Sequence, residues 1–208
     1  MCEARDWRRG TDVASDPAVR PRFLVVYGTT DGHTAKVAAA IVSTLRTGGA
    51  SVSLRDSAAP ANPDPADYDA VIVAASVHVG NYQSAIRRWV GTHQAALNNR
   101  PTAFVSVCLA VLNRNPKVDI DLAASLRKLS KATGWQPTET KIVAGALLYR
   151  QYGWIKRWMM RRIVAKEHGD TDTSRDYEYT DWHDLAEFVT RFQAGVTPQV
   201  QSRELVGA

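Results

Sequence analysis

The chain has 208 residues, 45% of them hydrophobic, enough for one globular domain with a substantial core. Its 26 Lys and Arg against 21 Asp and Glu leave a formal charge of +5, which suits an acidic surface or substrate without choosing among nucleic acid, anionic lipid and small carboxylates. The two cysteines, Cys2 and Cys108, form no metal spacing and fit a reduced cytosol, and the five scattered histidines, with no H-x-x-x-H, argue against a metal site.

Residues 1–21 mix Arg, Asp, Ser and Pro without periodicity. They read as a mobile extension, or as the product of a start codon placed too early. No apolar h-region of a signal peptide is visible there, and no apolar run in the chain reaches the ~18 residues of a membrane span. The expected domain runs over 22–195, with a loose tail over 196–208.

Phe23-Leu24-Val25-Val26 opens the domain as a strand, and a helical pattern starts near Ala35. Between them lies Tyr27-Gly28-Thr29-Thr30-Asp31-Gly32-His33-Thr34. A strand, a hydroxyl-and-glycine turn and a helix N-terminus make an anion site, because the first-turn N–H groups are unpaired and the helix dipole is positive there. Thr29, Thr30 and Thr34 add hydroxyl donors, and Gly32 allows a sharp turn and a close approach. The loop lacks the Lys-Ser/Thr ending of a nucleoside triphosphate loop and the G-x-G-x-x-G of a dinucleotide site. With no Lys or Arg between Gly28 and Ala35, it suits one terminal phosphate monoester, as in FMN. The plainer alternative is a strand-to-helix turn capped by threonine.

The first helix carries Val37, Ala38, Ile41, Val42 and Leu45 on one stripe and ends at Gly48-Gly49. Val52 and Leu54 alternate in a short strand, at an edge or covered on one face. A Pro/Ala/Asp linker over 58–66 leads to Ala70–Ala75, continuously apolar as in a parallel strand buried on both faces. After the turn Ser76–Tyr82, a helix carries Ile86, Trp89, Val90 and His93 on one face. A fourth strand spans Thr102–Val107, and its exit, Cys108–Pro116, is a long loop. Asp119 or Asp121 caps a helix with Leu122, Leu126 and Leu129 inward, closed by Gly134. A fifth strand is expected over Ile142–Leu148, and a last helix capped by Thr180, with Trp182, Leu185, Ala186, Val189 and Phe192 inward.

Alternating strands and helices predict an α/β fold: a five-stranded parallel sheet in the order 2-1-3-4-5, with helices on both faces. Ligand then sits at the carboxyl ends of strands 1, 3 and 4, beside the switch point. Three segments should converge: 29–34 on a phosphate, and 76–82 and 108–115 flanking a flat ring. The candidate cofactor contacts are Thr29, Thr30, Asp31, Gly32, His33 and Thr34, then Ser76, Val77, His78, Val79, Gly80 and Tyr82, then Cys108, Leu109, Ala110 and Asn113. Tyr82 or His78 could stack on the ring, with Val77 and Val79 packed on it. Tyr82 reads equally as a core aromatic at the start of a helix, and His78 as a solvated loop residue or a contact to substrate carboxylates. Cys108 reads as a small strand-end residue, since no neighbouring group in the sequence lowers its pKa. Asn113 and Asn115 could bond the ring edge or simply make turns. No Ser-His-Asp or Cys-His arrangement is legible, so the chemistry would be the cofactor's.

From Leu147 to Lys166 there are six cations (Arg150, Lys156, Arg157, Arg161, Arg162, Lys166) and no acid, interleaved with Tyr149, Tyr152, Trp154, Ile155, Trp158, Met159, Met160, Ile163 and Val164. This composition suits a helix lying on an anionic membrane surface or a lipophilic partner. It also suits a helix covering the sheet. Nucleic acid is the weaker reading, because no nucleic-acid fold signature accompanies the cations.

Through Tyr27–Thr34 the chain resembles the flavodoxin superfamily, and from about Phe23 to Phe192 it resembles the menaquinone-dependent protoporphyrinogen IX dehydrogenases of bacterial haem synthesis. The matching residues are Asp31-Gly32-x-Thr34, Ala75-Ser76-x-x-x-Gly80-x-Tyr82-x-Ser84-Ala85, Ala144-Gly145-Ala146-Leu147-x-Tyr149, Tyr152-x-Trp154, Thr171-Asp172-Thr173 and Tyr179-Thr180-Asp181-Trp182. The resemblance implies a flavodoxin-like fold with an insertion after strand 4, FMN, a six-electron oxidation of protoporphyrinogen IX in haem and porphyrin biosynthesis, and electrons passed to menaquinone or a similar quinone at the inner face of the cell membrane. Arg150 or His78 would meet the substrate's propionates; the planar, bidentate guanidinium favours Arg150. His78-Val79 departs from the Arg-Tyr expected there, and the residues after Cys108 also differ. Two alternatives remain: a basic flavodoxin shuttling electrons between redox partners, and a non-enzymatic flavin- or porphyrin-binding module.

Overall fold

A computed structural model describes residues 20–60, 63–77, 80–109, 116–150, 154, 158 and 172–196. The expectations for His78, Val79, Ala110, Asn113 and Asn115, for residues 1–19, for the tail beyond 196 and for most of 150–166 lie outside these residues.

Five parallel strands form the sheet: β1 (Arg22–Gly28), β2 (Ser51–Asp56), β3 (Ala70–Ser76), β4 (Thr102–Cys108) and β5 (Glu139–Ala144), in the order β2-β1-β3-β4-β5. The crossovers carry α1 (His33–Thr47), α2 (Ser84–Thr92), α3 (Gln94–Asn98) and α4 (Pro116–Thr133); α5 (Trp182–Ala194) comes last. The fold class expected from the alternation is the one observed.

Alternation along the strands divides the core into two. Phe23, Val25, Ile72, Val105 and Val107 face α1 and α5, where Ile41, Leu45, Phe188 and Phe192 meet them. Leu24, Val26, Val71, Val73 and Phe104 face the other layer, with Ile86, Trp89, Leu129 and Trp135. Residues 70–75 are apolar without a break because β3 lies between β1 and β4 and is covered on both sides. β2, at the edge, is only half covered.

Four boundaries differ from expectation. β5 was expected over Ile142–Leu148, but it begins at Glu139, opposite Ala103, and ends at Ala144, opposite Cys108. Gly145 donates its N–H to the Cys108 carbonyl and accepts from Tyr179 N–H, so the chain leaves the sheet there. It enters an antiparallel pair, β6 (Ala146–Leu147) with β7 (Tyr177–Glu178). The segment after β4, expected to hold an insertion, is outside the described residues over 110–115, and this added hairpin lies between β5 and α5. α4 starts at Pro116 rather than at a cap near Asp119 or Asp121, since proline's fixed φ suits a first helical position. The helix expected to carry Ile86 through His93 breaks at His93, which is half-buried, with its Nδ1 2.8 Å from the Trp89 carbonyl.

The cap of α5 is Asp181, not Thr180. The Asp181 carboxylate accepts from the N–H groups of His183 and Asp184, while Thr180 is committed elsewhere. Leu185, Phe188, Val189 and Phe192 are the buried face of α5, and Trp182 is half-buried at its start.

Candidate functional site

The carboxyl ends of β1, β3 and β4 lie side by side, with Gly28 opposite Ala75 and Ser76 opposite Val107. The three loops leaving them therefore emerge on one edge. Gly28 is required by packing: a Cβ there would come within 2.5 Å of Ile86 Cγ1 on α2.

The first loop turns at Gly32, which precedes α1 with φ +87° and ψ −22° and offers no side-chain cap. Thr29 Oγ1 accepts the Gly32 N–H at 2.9 Å, and the Gly32 carbonyl accepts from Ala35 and Lys36. Among the described residues, the N–H groups of His33 and Thr34 have no acceptor. Two unsatisfied donors at the positive end of a helix are the donor set an anion needs. Thr29 and Asp31 are half-buried beside them, Thr30 and Gly32 are exposed, and Thr34 is buried within the first turn.

The second loop is held from below. Val77 N–H donates to the Val107 carbonyl at 3.0 Å. Gln83 Nε2 donates to Ser76 Oγ at 2.5 Å and reaches Thr30 Oγ1 at 3.4 Å, so one amide ties the first loop to the second. Its Oε1 is buried with no partner among the described residues. Gln83 was not singled out from the sequence; only its place after Tyr82, at the start of α2, hinted at it. Gly80 turns the loop with φ +69°.

Tyr82 ends the second loop, but its side chain turns into the core. It is 5% exposed, packs edge-on against Phe104 with centroids 4.9 Å apart, and its hydroxyl lies 3.0 Å from Ser106 Oγ. Of the two readings of Tyr82, the core aromatic is the one realised, and its ring offers no face to a flat ligand. Burial pushes its phenol upward, the Ser106 bond opposing. Cys108 closes β4, buried, and Leu109 packs against the small cluster of Leu147 and Tyr149.

His33 behaves differently from its neighbours in the loop. Its ring is buried and turned from the anion site, with Nε2 2.7 Å from Thr180 Oγ1. Thr180 donates its single hydroxyl hydrogen to the Ala144 carbonyl at 2.7 Å. Toward His33 it can only accept, so Nε2 carries the hydrogen. One turn on, Lys36 Nζ is 2.6 Å from Glu178 Oε2, and Glu178 also accepts from Trp182 Nε1 at 2.9 Å. Burial lowers the His33 pKa, and Lys36 adds to that while Glu178 opposes it; the Lys36 hydrogen bond draws Glu178 below the ordinary carboxylate range. The added hairpin is thus stitched to the start of α1. Arg150 is exposed on this side, with its backbone N–H on Asp176 Oδ1 at 2.8 Å.

The flavodoxin domain model matches residues 24–174, well over half of the chain. The chain belongs to the flavodoxin family. Over 167 residues it is 33% identical to the protoporphyrinogen IX dehydrogenase [quinone] of Escherichia coli strain K12, an alignment covering 80% of this chain and 92% of that protein. It is 30% identical over 181 residues to the protoporphyrinogen IX dehydrogenase [quinone] of Leishmania major, covering 84% and 75%. Oxidised Flavodoxin 1 from Bacillus cereus superposes with a TM-score of 0.52 at 14% identity over 85% of this chain and 99% of that one. The Streptococcus pneumonia TIGR4 flavodoxin gives 0.51 at 15% over 84% and 99%. These two establish the fold.

FMN is the cofactor of this flavodoxin domain. The residues fit it: the two amide donors without acceptors among the described residues would suit one phosphate, and the Gln83 Oε1 without a partner lies in the wall between the first two loops.

Proposed function

We propose that this chain oxidises protoporphyrinogen IX to protoporphyrin IX with FMN and passes the electrons to a quinone, menaquinone or one like it, at the inner face of the cell membrane. The observation that carries this reading is the 33% identity to the Escherichia coli dehydrogenase across nearly the whole of that protein, joined to an anion site at the start of α1. Bound FMN supplies the ring that accepts hydride.

The chain's own residues bind and orient. The His33 and Thr34 amides, with the Thr29 and Thr30 hydroxyls, would seat the phosphate. Ser76, Val77 and Gly80, with Cys108 and Leu109 at the β4 exit, would flank the ring; the sequence assigns His78, Val79, Ala110 and Asn113 to the same segments. Arg150, exposed, would meet a propionate of the tetrapyrrole with two parallel N–H donors.

A quinone acceptor is dissolved in the bilayer, so the protein must reach its surface. Trp154 and Trp158 sit four residues apart in helical conformation and are 81% and 58% exposed, on a segment with six cations and no acid. Each cation near an anionic leaflet contributes about 1 kcal/mol, enough together for reversible attachment. No helix among the described residues is long and apolar enough to cross a membrane. A shuttle between redox proteins is the second reading, but the +5 charge opposes the acidic surface such shuttles present to basic reductases.

The test is anaerobic. FMN-loaded protein mixed with protoporphyrinogen IX should lose its yellow colour as porphyrin fluorescence appears, and a menaquinone analogue should restore the colour. Flavin that stays oxidised with the porphyrinogen while accepting electrons from a flavodoxin reductase would favour the shuttle.

A further inference from the structure

Thr180 lies 147 positions from His33 in sequence, yet its hydroxyl is the buried polar partner of the His33 ring. The hydrogen bonds run in one direction, from His33 Nε2–H to Thr180 Oγ1 and from Thr180 O–H to the carbonyl of Ala144, the last residue of β5. Such a chain strengthens each of its links and is costly to break when buried. His33 is also the first residue of α1, and its own amide is one of the two donors left without an acceptor. Its ring is therefore fixed to the far edge of the sheet while its N–H stands at the anion site. Gly32 has no side chain and gives α1 no side-chain cap, and the Thr29 hydroxyl holds only the Gly32 N–H, one residue before the two free amides.

We propose that His33 and Thr180 are positioning residues for the cofactor phosphate. The relay pins the first peptide of α1 to β5 and presets the His33 and Thr34 amides before the ligand arrives. It touches neither the ring nor the substrate. This rests on the FMN reading, and deepens it by assigning a role to the added hairpin: β7 leads Thr180 to the back of the phosphate turn. The Lys36–Glu178–Trp182 cluster supports the same placement one turn further along.

Presetting two amides matters only to a ligand that has a phosphate. Apoprotein titrated with FMN and, separately, with riboflavin isolates that contribution. Thr180→Val and His33→Ala should weaken FMN about tenfold or more while changing riboflavin less than about threefold, since a lost buried hydrogen bond and lost preorganisation fall on the phosphate alone. Thr180→Ser keeps the hydroxyl and His33→Gln keeps a donor near the Nε2 position, so both should bind FMN within about threefold of wild type. Equal losses for FMN and riboflavin, or unchanged FMN binding, would overturn the proposal. Should Thr180→Val not fold, His33→Ala carries the same comparison. A wild-type protein that binds riboflavin as tightly as FMN would overturn the phosphate reading itself, an outcome distinct from a failure of the relay.

Discussion

Gln83 Nε2 donates to Ser76 Oγ at 2.5 Å, joining the start of α2 to the end of β3 directly beneath the ring-flanking loop. The same amide leans toward Thr30, while its oxygen is buried with no acceptor role filled among the described residues. Gln83→Leu removes the tie and also removes that orphaned oxygen, whose burial already costs about 1–3 kcal/mol. The two effects oppose one another in stability and act together on the ligand. The expected outcome is a urea midpoint close to wild type with FMN affinity lowered about fivefold to tenfold, roughly one hydrogen bond's worth. A large fall in stability with intact FMN binding would show that Gln83 serves the fold instead.

Gly32 adopts φ +87°, and a Cβ there would meet nothing within 4 Å. Substitution therefore strains the backbone without a clash. Gly32→Ala should cost about 1–2 kcal/mol of stability and weaken FMN by distorting the turn. Gly32→Asn should lose less, because asparagine tolerates the left-handed region. Denaturant melts of both variants check the order.

Burial lowers the His33 pKa below its ordinary value of 6.5. As pH falls through about 6.5, the unfolded chain takes up a proton that the folded protein refuses. Stability should therefore decline as pH drops below that point and level off above it. His33→Gln removes this ionisation and should flatten that part of the profile, leaving the separate loss at lower pH where Glu178, whose folded pKa is depressed, is protonated. Parallel slopes in variant and wild type between about pH 6.5 and 5 would assign the decline to other groups.

Tyr82→Phe should cost about 1 kcal/mol or slightly more, since Ser106 Oγ loses a buried partner at 3.0 Å. Its ring is edge-on to Phe104 and enclosed, so the visible spectrum of bound flavin should not change. A shifted flavin band in this variant would place Tyr82 on the ring after all.

Arg157, Arg161 and Arg162 lie within the basic aromatic segment. Replacing all three with Glu reverses three attractions of about 1 kcal/mol each at an anionic leaflet. Sedimentation with anionic vesicles should fall sharply while FMN stays bound. Wild-type sedimentation would count against the membrane role.

Sheet order was legible because the uninterrupted apolar runs at 23–26 and 70–75 are what doubly covered parallel strands require, and 102–107 is apolar apart from Thr102 and Ser106. The phosphate turn was legible because its chemistry is local: a strand, glycine, hydroxyls and a helix start are consecutive in the chain. The remainder depends on distant pairing. Nothing near His33 in sequence indicates that its ring turns back toward Thr180, and Thr180 looked like the α5 cap because a threonine before Asp181-Trp182 has the right local pattern. Asp181 takes that place once the Thr180 hydroxyl is drawn off by Ala144 and His33. Likewise Gly145 sat inside an apolar run, and only the competing bonds to Cys108 and Tyr179 reveal it as the point where β5 ends. Tyr82 carried two readings because the residues flanking it fit both a ring contact and a core position; the Ser106 hydroxyl on β4 decides between them.

The most direct test of the central claim, that the first-turn amides of α1 hold the cofactor's phosphate, is an amide NMR titration of the apoprotein. FMN should move the His33 and Thr34 N–H resonances strongly downfield, as donors acquiring a charged acceptor do, and riboflavin should leave them nearly in place. Amides that respond equally to both flavins, or to neither, would contradict it.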